Sequence, residues 1–221
     1  MKVLVFGATG SAGGSVLRVC LSTPGVEEVR VIVRRPLKLA HGKLRVFIHE
    51  DFLDYGAIEE AFAGVDACLY CLGISTTQVS GEEEYRKITH DFALAAARAL
   101  ELQSPTAALH FISGQGTRLD SRMMWARVKA ETERDLIALL GAVCWRPAFI
   151  DGEPSQSAPR IYKILRPLFR LFKGFRNLYV TGEDIGRAML QATTEGIRGR
   201  TIENAEIRDI AVRFTANEAF R

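Results

Sequence analysis

Glycines at positions 7, 10 and 13, set directly behind an apolar run, constrain this chain more than any other stretch. Val3, Leu4, Val5 and Phe6 are uninterrupted apolar residues, as expected of a strand buried on both faces of a parallel sheet. After the glycines, residues 15–21 read as a helix. In such a strand–turn–helix unit Gly7 permits the tight turn out of the strand. Gly10 lets the backbone approach a pyrophosphate, and Gly13 lets the helix lie close against the strand. The diphosphate then rests on free N–H groups at the helix N-terminus, where the helix dipole also favours negative charge. Thr9, Ser11 and Ala12 complete the turn as candidate cofactor contacts.

The rest of the chain repeats the strand–helix theme. Strands are expected over 26–33, 44–48, 67–72, 107–112 and 143–145, with a short helix at 57–62 and a long one over 82–100. The long helix places Tyr85, Ile88, Phe92, Ala96 and Leu100 on one face. Asp120 or Ser121 can cap a helix that runs to Leu140, where Gly141 stops it. Alternation of this kind predicts an α/β fold, a Rossmann-type doubly wound parallel sheet with right-handed crossovers. A single domain over 1–221 is expected, with 151–221 forming a small cover for the substrate cleft. Within that part, residues 160–172 have helical apolar spacing (Ile161, Leu165, Leu168, Phe172) and a basic surround, with Pro167 as a kink. A cleft cover is expected there ahead of a membrane-surface helix. Thr181-Gly-Glu-Asp184 can cap a last helix burying Ile185, Ala188, Met189 and Ala192.

Composition narrows the function classes. A formal charge of +3 over 221 residues is too small to argue for a nucleic-acid partner. No run of eighteen apolar residues occurs, so no membrane span is expected, and the opening core strand leaves no expected signal peptide. Cys68 and Cys71 have redox-motif spacing, but residues three apart on a strand point to opposite faces. With Cys20 and Cys144 they read as buried hydrophobes, so no metal site and a reducing, cytoplasmic location are expected.

The end of the second strand decides which dinucleotide suits the turn. An NAD site usually places Asp or Glu about twenty residues beyond the glycines. Arg34 and Arg35 stand there instead, and a guanidinium matches a 2′-phosphate in geometry and charge. NADP is the expected cofactor, with NAD less favoured.

In order and spacing, these features make the chain resemble an atypical short-chain dehydrogenase/reductase, similar to the NmrA-like and Tat-interacting-protein-like NAD(P)-binding families. The motifs that carry the likeness are Gly7-x-x-Gly10-x-x-Gly13, the paired arginines, Asp51-Phe52, Cys71-Leu72-Gly73, Arg146-Pro147 and Asp184-Ile-Gly-Arg-Ala188. The resemblance implies that Asp51, with Phe52 beside it, approaches the adenine, that residues 71–73 line the cofactor, and that Arg146 and Pro147, after the sixth strand, also belong to the cofactor-binding set. It also implies a catalytic serine followed by Tyr-x-x-x-Lys on the next helix. Ser113 and Lys129 match, and Lys129 would hydrogen-bond the nicotinamide ribose. Position 125, however, is Trp125, whose indole N–H can donate a hydrogen bond but does not usefully ionise. Tyr162 could reach into the cleft from the later amphipathic segment and Tyr85 from the long helix, but core packing suits both better. Two functions follow: an oxidoreductase on an unknown small molecule with a displaced proton donor, or a non-catalytic NADP(H)-binding sensor, regulator or scaffold. A homodimer or a protein partner is left open.

Overall fold

The computed structural model describes residues 1–152 and 174–219; the basic segment 160–172, Tyr162 included, lies outside the described residues. In chain order the strands are β1 Lys2–Phe6, β2 Glu28–Val33, β3 Leu44–Ile48, β4 Ala67–Tyr70, β5 Ala108–Ile112, β6 Val143–Arg146, β7 Phe149–Asp151, β8 Tyr179–Thr181 and β9 Arg200–Glu203. Seven of them form one parallel sheet in the order β3-β2-β1-β4-β5-β6-β9. The chain winds outward one way from β1 and the other way from β4, which is the Rossmann-type doubly wound arrangement. β7 and β8 make a separate parallel pair.

The apolar run of β1 lies in the middle, and Val3 to Phe6 are fully buried. Val3 and Val5 face a layer built by α1 (Ser11–Ser22), α5 (Gly182–Thr194) and α6 (Asn204–Ala219). Leu4 and Phe6 face the other layer, which holds α3 (Phe92–Gln103) and α4 (Met124–Leu140). That second face is aromatic: the Phe6 ring lies 4.9 Å from Tyr70 and 5.9 Å from Tyr55. Cys68 packs in this layer and Cys71 against the opposite one, and all four thiols are free. Among the described residues no cluster of metal-binding side chains occurs.

Local structure departs from the sequence reading in several places. The long helix is α2 (Glu82–Arg86), a π turn (Lys87–Asp91) and then α3. A π turn holds more residues than an α turn, so Thr89 and Ala93 join Tyr85, Ala96, Ala97 and Leu100 as buried positions, while Ile88 and Phe92 are half-buried, with Phe92 packed on Phe52. The short helix is a 3₁₀ turn over Gly56–Ala61, interrupted by Ile58 at φ −136°. α4 begins at Met124, later than expected, because the Ser121 hydroxyl accepts from the Met123 N–H and holds a turn ahead of the helix. It does end on Gly141, at φ +61°. Thr181 Oγ1 accepts from the Asp184 N–H at 3.0 Å and opens α5, which buries Ile185, Ala188, Met189 and Ala192. β9 and α6 follow α5, where no further element was expected. β9 buries only Ile202, so it carries no apolar run to reveal it.

Glycines seat α5 on α1. A Cβ at Gly182 would lie 2.5 Å from Ser15 Cβ, and one at Gly186 would lie 3.1 Å from Val19 Cβ. At the end of β7, a Cβ on Gly152 would overlap the Ser11 carbonyl oxygen. The second half of the chain is therefore built directly onto the helix that starts at the glycine turn.

Candidate functional site

Because the seven strands are parallel, their carboxyl ends share one edge, and the order reverses between β1 and β4. Ligands of open α/β sheets bind outside such a reversal. At that point Gly7 has φ +71°, open to glycine and strained for other residues. A Cβ there would also stand 2.6 Å from the Cys71 carbonyl oxygen. The Gly10 N–H donates to the Gly7 carbonyl at 2.8 Å, tightening the turn. A Cβ on Gly13 would overlap that same carbonyl, so Gly13 lets α1 lie against the end of β1. Gly10 differs: among the described residues a Cβ there would meet only the Gly7 oxygen, at 3.2 Å. Gly10 is also the N-cap of α1, with no side-chain cap and no acidic residue in the first turn. Ser11 and Ala12 are half-buried there, and Thr9 is exposed. An uncapped, open helix N-terminus is a good receptor for a diphosphate.

Arg34 and Arg35 leave the end of β2, next to β1, and both are exposed. Among the described residues neither guanidinium has a hydrogen-bond or ion-pair partner. Beyond β3, Asp51 is exposed and its Oδ1 accepts from the Leu53 N–H at 2.9 Å. The Phe52 ring points into the core against Phe6, Tyr55 and Phe92, so only its backbone could meet a ligand. After β4, Cys71 and Leu72 are half-buried and Gly73 is exposed. Burial pushes the Cys71 thiol well above its ordinary pKa, with Cys20 and Cys68 adding to the rise, so it is no nucleophile near neutral pH.

At β5 the three residues expected to be catalytic come together. Lys129 Nζ donates to the Ser113 carbonyl at 2.7 Å and to the Ile112 carbonyl at 3.2 Å, and lies 5.8 Å from the centre of the Phe111 ring. Desolvation lowers its pKa to about 8, and Glu133 one turn later pulls it part of the way back up. Trp125 sits one turn earlier on α4, half-buried, with its indole over Gly114 and Gly116. A Cβ on either glycine would approach the ring to 3.7–3.8 Å. Ser113 is buried and pairs its hydroxyl with Thr117 Oγ1 at 3.1 Å. Sequence reasoning missed Thr117; a hydroxyl four residues beyond Ser113, across a Gly-x-Gly turn, was the available signal.

Arg146 is occupied elsewhere. Its Nε and Nη2 donate to both oxygens of Glu133, at 2.9 and 2.6 Å, and Nη1 reaches Glu203 at 3.1 Å. These pairs raise its pKa further and tie β6 to α4 and β9. The neighbouring Pro147 carbonyl accepts from the Gln115 N–H at 2.9 Å, which fixes the loop beneath Trp125.

The sheet order and the glycine edge define a Rossmann-type doubly wound fold. Solved structures with this fold include the dTDP-glucose 4,6-dehydratase DesIV of Streptomyces venezuelae, crystallised with NAD and TYD. It is 19% identical, with a TM-score of 0.69 over 96% of this chain and 80% of that one. MoeE5, in complex with UDP-glucose and NAD, is 16% identical with a TM-score of 0.70, over 98% and 82%. A short-chain dehydrogenase/reductase family oxidoreductase from Burkholderia thailandensis is 14% identical with a TM-score of 0.67, over 99% and 96%. Among curated proteins the chain is similar to "Protein FMP52, mitochondrial" of Eremothecium gossypii, at 26% identity over 94% of this chain and 96% of that protein. The Saccharomyces cerevisiae protein of the same name is 29% identical over 71% of this chain and 69% of that one. No family model matches the chain. The names of these relatives overturn the cytoplasmic expectation. That expectation rested on thiol chemistry, and a reduced thiol does not distinguish one reducing compartment from another.

Proposed function

We propose that this chain is an NADP(H)-binding oxidoreductase of the atypical short-chain dehydrogenase/reductase kind, NmrA-like or Tat-interacting-protein-like, acting on a small carbonyl compound. It works in the mitochondrial setting that its relatives' names carry. One observation carries the reading: the Gly10 N-cap, open among the described residues, stands at the sheet's reversal point, beside two exposed arginines that have no partner among those residues. The chemistry of these groups fits a dinucleotide. The N–H groups of residues 11–13 would hold the diphosphate, and Arg34 and Arg35 would hold a 2′-phosphate. Asp51 would accept from the adenine amine, and Cys71, Leu72 and Gly73 would line the nicotinamide half. When bound, the reduced cofactor supplies hydride; Lys129 and Trp125 are the chain's own groups at the other end of that edge. NAD bound in the solved neighbours DesIV and MoeE5 supports a nicotinamide dinucleotide as the ligand, and the arginines are the argument for the phosphorylated form.

Differential scanning fluorimetry with NADPH and NADH tests this. At a hundred times its dissociation constant a ligand stabilises the fold by about 2.7 kcal/mol. The expected result is a larger melting shift with NADPH at equal concentration, narrowed by Arg34→Ala. Equal shifts would remove the NADP preference, and no shift with either would remove nucleotide binding altogether. The loss of an ionisable group at position 125 favours a second reading, a protein that binds NADP(H) and responds to it without turnover.

A further inference from the structure

We propose that Lys129 is the proton donor of the carbonyl reduction, in place of the absent hydroxyl at position 125. The proposal rests on the dinucleotide-binding reading above and adds to it the group that completes the chemistry. The carbonyl carbon accepts hydride from the reduced nicotinamide, and the C=O π pair moves onto oxygen. That oxygen takes one proton from the Lys129 ammonium. The products are an alcohol, the oxidised nicotinamide and a neutral lysine amine, which water reprotonates.

Among the described residues the other candidates at this edge are spent. The Ser113 hydroxyl is buried and turned to Thr117. Trp125 does not ionise in the useful range. Tyr85 is only 2% exposed, and burial raises its pKa. The Cys71 thiol is also pushed up by burial. Lys129, by contrast, is half-buried and held in place by two carbonyls at the carboxyl end of β5. An ammonium has three N–H donors; two serve Ser113 and Ile112, leaving one for a ligand.

The surroundings also loosen the hold of Lys129 on its proton. On the β5 side it meets two carbonyls and the Phe111 ring, with no carboxylate. On α4, Glu133 is the acidic neighbour, and Arg146 from β6 holds both its oxygens. On α2, the charged Glu82 and Arg86 are paired with Arg127 and Glu131 of α4. Desolvation therefore prevails and brings Lys129 to about 8, close to the operating range that an acid catalyst needs.

The test combines a direct titration with kinetics. In protein carrying ¹³Cε-lysine, the resonance that disappears in Lys129→Arg should titrate near pH 8, whereas surface lysines titrate near their ordinary ~10.4. NADPH oxidation should be followed with a panel of aromatic and aliphatic aldehydes and ketones. The rate should fall as pH rises through 8. Lys129→Arg, which keeps the charge but cannot release a proton, should lower the rate about 10²–10⁴-fold while its melting shift with NADPH persists. Titration of Lys129 above pH 10, a rate independent of pH between 7 and 9, or an active Lys129→Arg enzyme would each overturn the assignment. A panel left wholly unreduced by protein that still shifts with NADPH would also overturn it and leave nucleotide binding standing. Loss of the NADPH shift in the native chain would instead overturn the binding reading beneath it.

Discussion

Gly10 and Gly13 belong to one motif but answer to different physical demands, and single methyl groups separate them. At position 13 an added Cβ overlaps the Gly7 carbonyl, which belongs to the backbone of the turn and cannot swing aside. At position 10 it meets that oxygen at 3.2 Å and no other atom of the described residues within 4 Å. Gly13→Ala should therefore lower the melting temperature of the free protein. Gly10→Ala should melt within a degree or two of native yet lose most of its NADPH shift; the reverse pattern would move the diphosphate elsewhere. His110 makes a second residue-scale case. Trp145 Nε1–H donates to His110 Nδ1 at 3.1 Å, so the neutral ring carries its proton on Nε2. Nε2–H donates to Thr193 Oγ1 at 2.9 Å, and that hydroxyl donates to the Met189 carbonyl. Burial lowers the imidazole pKa from 6.5 to about 3, helped by the nearby Arg198. The unfolded chain thus takes up the proton first as pH falls. Stability is unaffected by this group above pH 6.5 and is lost progressively between 6.5 and 3. At pH 5 the loss from His110 should be about 2 kcal/mol, measurable by urea unfolding at pH 7 and 5. His110→Gln should flatten that slope; an unchanged slope would assign it to other groups.

At the level of elements, an ion pair ties β6 to α4. Glu133 is only 3% exposed, and Arg146 grips both its oxygens from β6 while also reaching β9. Removing one partner of a buried pair costs more than removing both, because a charge is left without compensation. Arg146→Ala should destabilise the protein by about 3 kcal/mol in urea unfolding. The double variant Arg146→Met with Glu133→Leu should recover most of that loss. An Arg146→Ala protein of native stability that no longer shifts with NADPH would return Arg146 to the cofactor-binding set. The π turn at Lys87–Asp91 acts at the same scale. By holding an additional residue it turns Thr89 and Ala93 inward, where an unbroken α-helix would bury Ile88 and Phe92.

For the whole molecule, the consequence of parallel winding is that every candidate group stands on one edge of one sheet. Turns 7–13, 34–35, 51–52, 71–73 and 113–117 follow five different strands that lie side by side. Helix α5 packs on α1 through Gly182 and Gly186, and Gly152 touches Ser11. A nucleotide held at α1, as proposed, would therefore bear on the later part of the chain. A thermal shift reports on the site because a ligand that binds only the folded chain stabilises it.

From sequence alone the parallel sheet, the glycine turn and its helix could be read, because each rests on local chemistry. Val3 to Phe6 form an apolar run, glycines recur at fixed spacing, and a Thr cap is followed by apolar residues at helical period. The i, i+4 relation of Trp125 and Lys129 was likewise local, and the structure keeps both on α4. Tertiary structure alone decided the rest. The pairing of Arg146 with Glu133, the turn of Ser113 toward Thr117 and the inward ring of Phe52 each depend on contacts between separate elements or across a turn. The sixth and last strands become neighbours only when the sheet closes around them. β9 and the π turn were hidden for the same reason. A strand with one buried side chain and a helix with one added residue leave no periodic trace; both are held by packing between distant parts of the chain.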